Sequence, residues 1–164
     1  MMKKIATGIL AIAATSAVAL SLPSAASATT ATATATADFD DYSDYWGPVY
    51  AKQHLAKAQG HVDVAWDEED SNEVQVTGRL YDLDDRDYDE GGKCAYVKFQ
   101  AEDSDGDWST VYTRKYCGSP GYKKFHFEEN DVFTLRVKVC QVPEQGTFAT
   151  KCGSWRELYS AEDA

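Results

Sequence analysis

The chain has 164 residues, 43% of them hydrophobic and 26% charged, with a formal net charge of −11 at pH 7. That acidity repels phosphate backbones and anionic lipid surfaces, so nucleic acid and membrane surfaces are poor partners, while cationic groups and divalent metals are favoured. The length suits one domain.

Met1–Ala28 begins with Lys3 and Lys4, continues as an alanine-rich apolar run to Leu22, and ends in the small residues Ala26-Ser27-Ala28. That is the plan of a secretory signal peptide with an A-x-A-like cleavage site after Ala28, and Ala33 and Ala35 offer further A-x-A patterns. Cleavage removes two lysines and no acid, which takes the charge from −11 to −13. Nothing downstream is apolar enough to span a bilayer, so an extracellular protein without membrane insertion is expected. Residues 29–48 read as a leader. Its Thr29–Ala37 tract has too few bulky side chains to offset its ordering entropy. Asp38–Trp46 (DFDDYSDYW) is acidic and aromatic, its rings either packing on the domain edge or staying loose.

The domain proper is expected over 49–164. Val49–Ala58 admits either a short helix or an extended lead-in. From there the apolar pattern has period two, the mark of half-buried strands. Ala58, Val62, Val64 and Trp66 fall on one face, and Val74, Val76 and Leu80 on one face of the next strand. Ala95, Val97 and Phe99 alternate with Tyr96, Lys98 and Gln100; Phe125 and Phe127 flank His126; Leu135, Val137 and Val139 continue the pattern. Ser109–Tyr116 is rich in Thr, Val and Tyr, and a last short strand takes in Trp155 and Leu158. Runs of this kind, separated by Asp, Gly, Ser and Pro, predict an all-β, antiparallel sandwich of about six to eight strands, immunoglobulin-like or similar.

Cys94, Cys117, Cys140 and Cys152 form an even set in a chain read as exported, so two disulfides are expected. Three connectivities exist. Cys94–Cys117 with Cys140–Cys152 is favoured, because each pair opens in a strand-like run and closes on Cys-Gly-Ser. Each bridge would contribute about 3 kcal/mol. The Cys-x₂-Cys spacing of structural zinc is absent.

Candidate sites are faint. Asp82, Asp84, Asp85, Asp87 and Asp89 crowd one loop and are weak calcium candidates, although the spacing is not that of an EF-hand; a solvated turn is the alternative. No other cofactor is implied. Tyr112, Arg114 and Tyr116 share one strand face, and Tyr96 and Lys98 share another. If those are adjoining outer faces, they form a platform able to stack on sugars or take a protein. His54, His61 and His126 read as surface residues. Around Ser119 the sequence Cys-Gly-Ser-Pro-Gly lacks the first glycine of a nucleophile elbow, and a Pro-Gly turn explains it without chemistry. No catalytic residue is assigned.

Through the segments GRLYDLD, GGKCAYVKFQ, DGDW, KYCG and VKVCQV, the chain resembles small secreted proteins common in Streptomyces and related actinomycetes, from roughly Tyr50 to Trp155. The resemblance implies a β-rich secreted domain with paired cysteines and carries no catalytic residues. The expected function is therefore non-enzymatic binding of an extracellular protein or polysaccharide, at the cell envelope or beyond it. The alternatives are an inhibitor of an extracellular hydrolase, using an exposed loop near Gly118–Lys123, or a secreted hydrolase.

Overall fold

Alternation of branched apolar and polar side chains produces eight strands and no α-helix among the residues described by the computed structural model, 41–67 and 71–162. The expected signal peptide and residues 29–40 of the leader lie outside the described residues. The strands are β1 (Tyr42–Tyr50), β2 (Ala56–Trp66), β3 (Asn72–Asp82), β4 (Cys94–Glu102), β5 (Trp108–Tyr116), β6 (Gly121–Asn130), β7 (Thr134–Val142) and β8 (Arg156–Ser160). They form two four-stranded sheets, ordered β1-β2-β3-β6 and β5-β4-β7-β8, in which all neighbours are antiparallel. The predicted sandwich is therefore what the chain forms. Its first three strands stay in one sheet as a meander, whereas in immunoglobulin domains the third strand crosses to the other sheet.

The two inner faces meet around Phe99, which is fully buried. Its ring lies 4.9 Å from Phe127 and 5.7 Å from both Trp46 and Phe125. Val62, Val64, Val74, Val76, Leu80, Val97, Leu135, Val137 and Val139 fill the rest of this layer, which is the set that period-two alternation assigns inward. Both favoured disulfides form, Cys94–Cys117 and Cys140–Cys152, and no described cysteine is free.

Two local expectations are corrected. Residues 42–48, assigned to the leader, belong to the sandwich as most of β1. Trp46 is 5% exposed and meets Phe99 edge-on, so burying one large indole outweighs the acidity of its neighbours. Asp44, on the same strand, stays exposed. Val49–Ala58 is neither a helix nor simply extended. β1 ends at Tyr50, a 3₁₀ turn spans Lys52–His54, and β2 starts at Ala56. Gln53 and His54 take left-handed backbone angles (φ 65° and 59°), which reverse the chain and break the helical option.

Candidate functional site

The acidic loop after β3 looks most like a site in the sequence, and the fold uses its two central acids itself. Asp84 is 3% exposed. Its carboxylate accepts from Arg86 Nε and Nη2 at 2.7 and 2.8 Å, from the Lys93 amide at 3.1 Å and from Gln141 Nε2 at 3.0 Å. Those donors, the Arg86 guanidinium foremost, hold its carboxyl down to about 2. Asp82, 4% exposed, accepts from the amides of Asp84 and Gly118, and so ties β3 to the loop closed by Cys117. Burial pushes Asp82 up, in the opposite direction to Asp84. Asp85, Asp87 and Asp89 are exposed, and Asp87 and Glu90 form a reciprocal cap on the 3₁₀ turn Tyr88–Glu90. Among the described residues no three His, Cys, Asp or Glu side chains converge as metal ligands. The oxygens of Asp82 and Asp84 face protein donors where a cation would need them.

The expected aromatic platform splits between two faces. β5 pairs with β4 so that Tyr112 opposes Phe99, Arg114 opposes Val97 and Tyr116 opposes Ala95, all on the inner side. Tyr112 stacks on Phe127 at 4.6 Å with the rings 9° apart. Tyr96 and Lys98, opposite Lys115 and Thr113, are on the outer side. The cause is a bulge: Phe99 pairs with Tyr112 and Gln100 with Thr110, which leaves Val111 as the extra residue. In an edge strand, Tyr can cover the core with its ring while its hydroxyl reaches the rim. Alternation alone could not choose which face turned inward.

The outer face of β5-β4-β7-β8 carries a different constellation. Across it run the pairs Gln100–Arg136 and Lys98–Lys138, with Trp108 at the start of β5. Beyond β7, the segment 143–154 folds back over one end of this face. Cys140–Cys152 ties it down, the Gly153 amide donates to the Val139 carbonyl, and Lys115 Nζ donates to the carbonyls of Pro143, Glu144 and Gly146. Gly153 is required there, since a Cβ would come within 2.1 Å of the Tyr50 carbonyl oxygen. The fold-back delivers Trp155 to the sheet. Its ring lies 4.7 Å from the Arg136 guanidinium carbon and 4.1 Å from Lys138 Nζ, while Trp108 meets Arg136 at 3.4 Å. Gln100 Oε1 accepts from Arg136 Nε and Nη2 at 3.2 and 2.9 Å. Burial, then the nearby Lys98 and Arg136 charges, hold the Lys138 ammonium below its usual range.

Sequence reasoning found Lys98 and missed Trp108, Arg136, Lys138 and Trp155. Arg136 and Lys138 alternate with core residues and so read as outward. Nothing local tells that β7 lies beside β4, or that Trp155 returns over β7.

The opposite sheet offers a groove of about 900 Å³, lined by Tyr45, His61, Thr77, Arg79 and His126 among others, where Gly60 and Gly78 sit side by side. Its histidines are paired, His61 with Asp63 at 2.8 Å and His126 with Glu128 at 3.4 Å, while Arg79 lies over Tyr122 and Lys124 also lines the groove. Ser43, His61 and Asp63 form a triangle with the atoms of a nucleophilic triad. However, the Ser43 hydroxyl donates to Asp63 at 2.8 Å and stands 3.4 Å from His61 Nε2. A carboxylate is the stronger acceptor, so the arrangement does not activate the serine. Of the stretch Gly118–Lys123, Gly121–Lys123 pairs with β3 as the start of β6, and 118–120 lie outside the strands. No protein-family model matches the chain, and no curated protein is found similar to it.

Proposed function

We propose that this protein is an exported, non-enzymatic binding module that takes an extracellular polysaccharide or protein on the outer face of the β5-β4-β7-β8 sheet. One observation carries the reading: Arg136 is held between the indoles of Trp108 and Trp155. Two half-exposed tryptophans beside an oriented guanidinium offer stacking area and directed donors at low conformational cost. The opposite groove is the weaker surface, because its histidines are paired with Asp63 and Glu128. Export is supported by the two disulfides, by the signal-like N-terminus, and by the lack, among described residues, of any helix long and apolar enough to cross a membrane. The resemblance to actinomycete secreted proteins accords with it.

The test is retention of the mature protein on cell-envelope material and insoluble polysaccharides, compared with a Trp108→Ala/Trp155→Ala variant. The expected result is retention that falls roughly tenfold in the variant. Equal retention by both proteins would overturn the assignment of this face.

A further inference from the structure

Lys98 and Lys138 stand directly opposite each other on β4 and β7, and Gln100 and Arg136 form the next pair on the same face. Like charges placed directly opposite destabilise a sheet. The chain has 27 acidic and 16 basic residues, a balance that repels polyanions overall, so only a local cluster of cations such as this one could hold an anion. Glu157 stands opposite Arg136 on β8 and Glu102 lies two residues beyond Gln100 on β4, yet among the described residues no carboxylate lies within ion-pair distance of Lys98, Arg136 or Lys138. Gln100 occupies the Nε–Nη2 edge of Arg136 and fixes its plane. The far edge, Nη1 with the second Nη2 proton, meets no acceptor among the described residues. A planar pair of N–H donors is the geometry that matches a carboxylate. Arg136 lies over Trp108 and, with Lys138, over Trp155, so a pyranose ring would stack on the indole surface that these cations leave uncovered.

Resting on the reading of this face as the binding surface, we propose that its ligand is an acidic polysaccharide whose uronate carboxylates meet the far edge of Arg136 and the Lys98–Lys138 pair. The two rows are about 7 Å apart along β7. Rows at that spacing can take carboxylates from successive sugar units, so the proposed ligand is an oligomer or polymer.

Tryptophan fluorescence of the mature protein, titrated with polygalacturonate, with its fully methyl-esterified form and with neutral dextran, tests this. Polygalacturonate is expected to saturate the signal, and esterification to weaken binding roughly tenfold or more. Lys98→Gln/Lys138→Gln should lose most of the affinity while unfolding as the parent does, and Lys98→Arg/Lys138→Arg, which keeps the charge, should retain it. Equal binding of the esterified polymer or of dextran overturns the carboxylate and leaves the binding face standing. Polygalacturonate binding that survives the double glutamine substitution also overturns the proposal, because the anion then sits elsewhere. If no soluble polymer binds while envelope retention still depends on the tryptophans, the uronate assignment fails and the face is kept. Loss of the tryptophan dependence as well removes both.

Discussion

The acidic loop after β3 and the outer face of β5-β4-β7-β8 use charge in opposite ways. In the loop, Asp84 is buried and surrounded by four donor atoms from three residues, Arg86, Lys93 and Gln141. On the sheet, Lys98 and Lys138 face each other with no acid between them, and Arg136 rests on indoles and an amide. The first region has satisfied its charges within the fold. The second carries charges that the fold only orients. A dense cluster of like charge in a sequence is thus a poor guide to a site, and the number of protein donors reaching each group is a better one.

The largest effect that would break this contrast lies at Asp84. Replacing it with Ala leaves Gln141 Nε2 and the Lys93 amide without their acceptor, and should cost about 3 kcal/mol, seen as a lower urea midpoint at unchanged slope. Ligand affinity should not change. Replacing both Cys140 and Cys152 by Ala should cost a similar amount, about 3 kcal/mol. Here affinity should fall as well, because the segment that carries Trp155 to the sheet is released. A loss of stability with full binding would show that Trp155 is held by other contacts.

Acid separates the regions next. The folded carboxyl of Asp84 titrates near 2, below its ordinary value of 3.8. Its stabilisation is therefore complete above about pH 4 and lost as pH falls toward 2, amounting to about 2 kcal/mol. Asp82 has the opposite sign: its raised value contributes stability at low pH that is lost as pH rises through it. Asp84→Asn should flatten the acid limb of a stability–pH curve, whereas Arg136→Gln should leave that limb unchanged. Smaller still, Trp155→Ala should cost about 1 kcal/mol of stability, through its contacts with Arg136 and Lys138. The smallest effect is Lys98→Gln, which relieves a like-charge pair and should be neutral or stabilising by up to about 0.5 kcal/mol in thermal unfolding.

Much of the fold was legible because burial enforces alternation. Val62, Val76, Val97 and Val137 had to share the inner layer, and the recurring Cys-Gly-Ser pointed to the bridges that form. The edge strands were harder. Trp46 overrode an acidic context to make β1, and the Val111 bulge turned Tyr112 and Tyr116 inward, contrary to expectation. The binding face was mostly illegible. Trp108, Arg136 and Trp155 meet only through non-local pairing and a fold-back fixed by a disulfide, and period-two patterns contain neither.

The most direct test of this division measures thermal stability and polygalacturonate affinity side by side for Asp84→Asn and Arg136→Gln. The expected result is a crossed pattern: Asp84→Asn lowers the melting temperature by several degrees and binds as the parent does, while Arg136→Gln lowers it by less than half as much and binds roughly tenfold more weakly. If both substitutions move stability and affinity together, or if Arg136→Gln binds normally, the cationic face belongs to the fold in the same way as the acidic loop, and the account is contradicted.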